Sequence, residues 1–271
     1  MSDQENVTPT QTARRLEGRR ALVTGANSGI GRAIALRLAQ EGASVCINFV
    51  VNPQAADEVV NEIKAGGGKA FAAQADVTSE EQVDAMIGRA AGDFGGLDIL
   101  VNNAGMETHH PFLEMPLDAW RKVIDVDLTG AFLCAQRAAR LMVKNERGGA
   151  IVNITSVHQI IPWGGFAHYC AAKAGMDMMT KTIALELANQ KVRVNSVAPG
   201  AIATPINRNV WSDPQGLKDL LRKIPSERMG QPEEIASVVA FLCSDEASYV
   251  TGAVLYADGG MALYPEFMHG G

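Results

Sequence analysis

The chain has 271 residues, 47% hydrophobic and 20% charged, a composition that supports a large buried core. Acidic residues outnumber basic ones, 30 against 24, and no dense Lys/Arg block occurs. That excludes the electrostatic footprint of a nucleic-acid or anionic-membrane binder and points to a small-molecule partner.

Residues 1–15 read as a polar tail, MSDQENVTPTQTARR, with no hydrophobic stretch, and residues 16–271 as one domain because no linker interrupts the pattern that follows. No apolar run approaches the ~18 residues of a membrane span, so a cytoplasmic location is expected. The first predicted strand, RALVTG, runs into LVTGANSGIGRAIA, which opens a helix. Gly25 allows the tight turn, and Gly29 and Gly31, with Asn27, Ser28 and Ile30 beside them, let the backbone approach a pyrophosphate held at a helix N-terminus. The second strand, ASVCINFV, ends near Phe49, where an acidic residue would grip the ribose 2′-hydroxyl of NAD. None is present, and no Arg stands there for the 2′-phosphate of NADP. Arg32, Asn48 and Asn52 are the weaker candidates, and both cofactors stay open.

KAFAAQADV closes on Asp76 and Val77. The Asp76 carboxylate either accepts from an adenine amino group or caps the turn before Thr78. LDILVNNAG and GAIVNITS follow as the fourth and fifth strands, the latter ending at Ser156. Next comes FAHYCAAKAG, which places Tyr169 and Lys173 at i and i+4, on one helix face. An ammonium there favours the phenolate and pulls the phenol down from its usual value near 10, making it a usable base. Ser156 is placed to hold the same substrate oxygen, and the small neighbours Ala171, Ala172, Ala174 and Gly175 leave room for cofactor or backbone to approach. VRVNSVAPG and GAVLYADGG complete the strands, with an irregular stretch from Gly200 to about Pro214 that is either a substrate lid or a surface insertion.

Between the strands lie segments apolar at three-to-four spacing and closed by Gly, such as IGRAIALRLAQEG. The strands are apolar at nearly every position. An α/β fold follows, a parallel sheet with helices on both faces. Cys46, Cys134, Cys170 and Cys243 lack C-x-x-C spacing and read as buried thiols; neither they nor the five histidines make a metal site.

The glycine pattern from Thr24 to Gly31, NNAG at 102–105, Ser156, YCAAK at 169–173 and PG at 199–200 together resemble the short-chain dehydrogenase/reductase family over nearly the whole chain from Leu16. The resemblance implies a doubly wound, Rossmann-type α/β fold with a seven-stranded parallel sheet flanked by helices on both faces, an NAD or NADP cofactor and a homotetramer. It implies Tyr169 as catalytic base, Lys173 as the group that tunes it and binds the nicotinamide ribose, and Ser156 as the substrate-orienting hydroxyl. Asn103, Ala104 and Gly105 would support the adenosine side, and Pro199, Gly200, Ile202 and Thr204 would border the nicotinamide. Where the family commonly has Asn in a fourth catalytic position, DVDLTG supplies Asp127.

The segments SVHQIIPWGGFAHY, PGAIATPIN, EASYVTG and ADGGMALYPEF are similar to the family's glucose-oxidising members. That likeness implies oxidation of β-D-glucose at C1 to glucono-1,5-lactone, with Glu107, His158 and Asn207 as candidate sugar contacts. Another sugar, a polyol or a 3-oxoacyl substrate is the alternative. A non-catalytic NAD(P)-sensing protein is disfavoured by the presence of Ser156, Tyr169 and Lys173 together.

Overall fold

β-Branched and apolar runs become strands at β1 (Arg20–Val23), β2 (Ser44–Phe49), β3 (Lys69–Gln74), β4 (Ile99–Asn102), β5 (Gly149–Ile154), β6 (Val192–Pro199) and β7 (Val254–Ala257). In this computed structural model, which describes residues 14–205 and 211–263, they form one seven-stranded sheet in the order β3-β2-β1-β4-β5-β6-β7. Every neighbouring pair is parallel. The helices are α1 (Gly29–Gln40), α2 (Pro53–Ala65), α3 (Glu80–Phe94), α4 (Leu117–Ile124), α5 (Gly130–Met142), α6 (Ala167–Leu187), α7 (Pro214–Leu221) and α8 (Pro232–Cys243). A π-helical turn, Asp125–Thr129, joins α4 to α5.

Local chemistry sets several boundaries. Asn52 caps α2 from a left-handed conformation, accepting from Ala55 N–H, and Pro53 follows at the first helical position. Ser79 caps α3 and Gly95, at φ 76°, ends it. A reciprocal capping box of Gln231 and Glu234 starts α8.

The sheet is apolar on both faces because alternate residues of each strand pack in opposite directions. Val23, Val45, Ile47, Val101 and Val197 pack with Ile34 and Leu38 of α1 and Val239 and Leu242 of α8. Leu22, Cys46, Leu100, Ile151 and Val194 pack with Val83 and Met86 of α3 and Leu133 and Met142 of α5. Each such side chain stabilises the fold by about 1.5–3 kcal/mol on burial. The reading of all four cysteines as buried needs one correction: Cys46, Cys134 and Cys243 are buried, but Cys170, on the first turn of α6, is half-buried.

Strand order reverses between β1 and β4, and the crevice beyond their carboxyl ends is where ligands enter folds of this type. Gly25 follows β1, Asn103 follows β4, Ser156 follows β5 and Gly200 follows β6, so the candidate residues collect at this end. Among the described residues no helix is long and apolar enough to cross a membrane.

Candidate active site

The glycine turn is built by close approach. Gly25 sits at φ +60°, a left-handed conformation that favours glycine, and a Cβ on Gly31 would collide with the Gly25 carbonyl and the Asn103 amide. Asn103 is a strut: its Nδ2 donates to the carbonyls of Thr24 at 2.9 Å and Gly25 at 3.1 Å. Thr24 Oγ1 returns the link, accepting from the N–H groups of Asn103 and Ala104, each at 2.9 Å. Asn48 is a second strut, accepting from Gly25 N–H at 3.2 Å and donating to Ala75 O at 3.0 Å.

The turn borders a cavity of about 610 Å³. Its wall includes all the residues expected around a dinucleotide, from Gly25, Asn27, Ser28, Gly29, Ile30 and Gly31, through Asp76, Val77, Asn103, Ala104 and Gly105, to Tyr169, Lys173, Pro199, Gly200, Ile202 and Thr204. Thr204 lies against Gly29, so the segment after β6 reaches over the glycine turn. At the far end Val50 and Val51 line the wall, Arg32 is paired with Glu62 and Asn52 is spent on its cap. Asp76 Oδ1 is occupied by the Thr78 N–H and hydroxyl, at 2.9 and 2.7 Å, the turn-capping alternative.

Tyr169 and Lys173 share one side of α6, with Lys173 Nζ 5.5 Å from the phenol ring centroid. Ser156 lines the same cavity as Tyr169, and its Oγ accepts from His158 N–H at 3.1 Å. Lys173 Nζ donates to Ile154 O at 3.2 Å and meets Asp127 Oδ2 at 3.1 Å. Asp127 is fully buried, pointed inward by the π-helical turn, and its Oδ1 accepts from Met106 N–H at 2.8 Å. The small residues divide: Ala172 is buried and Gly175 leaves no room for a Cβ beside Leu128, whereas Ala171 and Ala174 are exposed.

The electrostatics differ from the sequence expectation. Burial pushes the Tyr169 phenol above its ordinary value; the Lys173 ammonium and the Ser156 hydroxyl pull it down, and Asp127 and Glu107 add to the rise. The expected pull from Lys173 is present but outweighed. Burial lowers Lys173, yet Asp127, Tyr169 and Glu107 more than offset it, so the ammonium is held charged. The Asp127 carboxyl is raised by burial, against Lys173 and the Met106 N–H.

Of the three candidate sugar contacts, Glu107 lines the cavity. Burial, and next the Asp127 charge, raise its carboxyl above the usual range. His158 stands off the cavity wall: Nδ1 donates to Ile161 O at 3.1 Å and the ring stacks on Trp163 with centroids 4.3 Å apart. Asn207 lies outside the described residues.

The family profile described as Enoyl-(Acyl carrier protein) reductase matches residues 25–262. The 3beta-hydroxysteroid dehydrogenase 1 of Eggerthella lenta is 47% identical over 255 residues, 94% of this chain and 98% of that protein. This chain belongs to the short-chain dehydrogenase/reductase family. Glucose 1-dehydrogenase 2 of Bacillus subtilis is 46% identical over 251 residues, covering 92% of this chain and 97% of that one. A gluconate 5-dehydrogenase from Burkholderia cenocepacia, solved in complex with NADP and tartrate, superposes with a TM-score of 0.88 at 35% identity, covering 93% of this chain and 98% of that one. The protein is an oxidoreductase with an NAD(P) cofactor, and the narrow glycine turn and open cavity wall fit such a dinucleotide.

Two further residues at the site escaped the sequence reading. His168 is fully buried beside Tyr169, and its Nε2 lies 3.0 Å from Thr108 Oγ1. A histidine directly before the tyrosine, in a helix's first turn, is the signal that could have found it.

Proposed function

We propose that this dehydrogenase oxidises β-D-glucose at C1 to glucono-1,5-lactone, acting in the cytoplasm as a homotetramer. Tyr169 takes the proton from the C1 hydroxyl, and the Ser156 hydroxyl holds that oxygen as it becomes a carbonyl. Lys173 stays cationic beside the phenol and favours its phenolate, and Asp127 holds the ammonium in place. A bound NAD(P) would supply the acceptor for the hydride from C1. The residues of the glycine turn would hold its pyrophosphate, and Pro199, Gly200, Ile202 and Thr204 would shape the nicotinamide end. The chain's contribution is geometry and a tuned base.

The observation that carries the sugar reading over a steroid is Glu107. Its carboxylate lines the cavity near Lys173 and Asp127 and has no hydrogen bond or ion pair to the described residues. A polyhydroxylated substrate supplies donors for those oxygens. An apolar polycyclic one would leave those oxygens without a hydrogen-bond partner, at a cost of about 1–3 kcal/mol. The tetramer rests on apolar area left open on α5 and α6, where Phe132, Met178 and Leu185 are exposed.

The test is a substrate panel with NAD and NADP in parallel, following nicotinamide absorbance: β-D-glucose, gluconate, a 3β-hydroxysteroid and, in the reducing direction, a 3-oxoacyl thioester. Glucose oxidation with at least one cofactor is the expected result. No glucose turnover beside rapid steroid or thioester turnover overturns the assignment.

A further inference from the structure

Glu107 sits between two ties that fix its backbone. On one side Met106 N–H donates to Asp127 Oδ1 at 2.8 Å. On the other, Thr108 Oγ1 meets His168 Nε2 at 3.0 Å. His168, the second residue of α6, is fully buried, and its Nδ1 accepts the Tyr169 N–H at 2.9 Å. A backbone N–H can only donate, so Nδ1 carries the lone pair, and the proton of the neutral ring is on Nε2, donated to Thr108. Burial, and then His110, push the imidazole below its ordinary range, against the Phe166 carbonyl and Asp127, which keeps the ring neutral near pH 7.

The Tyr169 N–H belongs to the first helical turn, where backbone donors lack an intrahelical acceptor. One imidazole therefore closes that orphan donor at the turn carrying the phenol and grips the loop carrying Glu107. His110 N–H adds a third link in the same direction, donating to Gly165 O at 2.9 Å, just before α6.

We propose that His168 is a positioning residue: through Thr108 it fixes Glu107 relative to Tyr169, and so sets how firmly the hydroxyls of a sugar-like substrate are held. The inference rests on Glu107 facing the substrate, as in the function proposed above. His168 touches no reacting atom; it acts on affinity for the alcohol through another side chain.

The experiment is a double-mutant cycle on the full-length enzyme at saturating NAD or NADP, whichever supports turnover, with β-D-glucose or whichever alcohol of the panel is turned over. Thr108→Val keeps the volume and removes the hydroxyl. His168→Asn keeps an acceptor for the Tyr169 N–H and loses the reach to Thr108. Each raises KM about tenfold with kcat little changed, the loss of one partly buried hydrogen bond. In a Glu107→Ala background Thr108→Val adds nothing further, because the group it positions is gone. The same tenfold loss in both backgrounds, or no loss in either, overturns the proposal. Thermal midpoints identify any variant that merely fails to fold, and Thr108→Val then decides alone. Tyr169→Phe is the control: if it keeps turnover the site reading has failed, and if it is inactive while the cycle is additive only the role of His168 has failed.

Discussion

The two ends of the sheet treat a buried carboxylate in opposite ways. At the amino ends of the strands, Asp98 accepts from Arg20 N, Nε and Nη2 at 2.9, 2.7 and 2.7 Å and from Asn145 Nδ2 at 2.7 Å. Glu41 is clasped by Arg15 at 2.8 and 2.6 Å and by Arg37 at 2.6 Å. Burial alone would raise both carboxyls, but the guanidinium forks outweigh it and hold both below the usual range. At the carboxyl ends Asp127 is more deeply enclosed and meets only one amide and one ammonium, and burial wins. Deeper burial and fewer donors together decide the sign. One end is closed for stability, and the other leaves charge incompletely matched where a proton has to move.

The largest way to break this contrast acts on the open end alone. Tyr169→Phe removes the phenol hydroxyl, and is expected to lower turnover by about 10²–10⁴-fold, the span of a positioned general base. Cofactor affinity, read by fluorescence titration, should stay at the wild-type level. Near-normal turnover would sink the assignment of the base.

The matching change at the closed end is Asp98→Ala, which leaves the Arg20 fork and Asn145 without their carboxylate. Because Arg20 reaches solvent, the loss is expected near the low end of buried-pair deletions, about 2–3 kcal/mol in urea unfolding. Turnover per folded molecule should not change. The sign with pH follows from the depressed carboxyl: its contribution is complete above the unfolded value of about 4 and disappears as pH falls through the lower folded value. Wild type and variant therefore converge in strong acid. A stability gap that persists there would mean that packing, and not charge, accounts for the loss.

The same division explains what could be read from the residues in order. The strands, the glycine turn and the Tyr169–Lys173 pair were legible because each is local: an apolar run, a spacing, a helical repeat. The struts were not, since Asn103 and Asn48 reach partners such as Thr24, Gly25 and Ala75, far along the chain and brought near by strand order. Arg32, a weaker candidate for the cofactor's ribose end, lies beside Glu62 of α2, a partner its sequence position does not reveal. His158 read as a sugar contact until Trp163 and Ile161 took its ring. The direction of the phenol shift depends on burial, which helical spacing does not report.

The finest test of the contrast changes one charge and no volume. Asp127→Asn keeps an oxygen to accept the Met106 N–H and removes the carboxylate beside Lys173. In the wild type, after burial itself, the Asp127 charge is among the causes that hold the phenol high, and Lys173 opposes them. Its removal leaves the ammonium free to act on Tyr169 alone, so the phenol should ionise at lower pH. Activity in the oxidising direction rises as pH passes through that value, and the rising limb of kcat/KM is expected to move toward acid by up to about one unit. Asp127 also helps keep Lys173 charged inside the protein, against its burial. A limb displaced toward alkali would therefore mean that the lysine has lost its proton and that Asp127 serves the ammonium more than it hinders the phenol. Superimposable profiles would mean that the carboxylate already shares a proton in the wild type, and that the open end is less charged than its geometry implies.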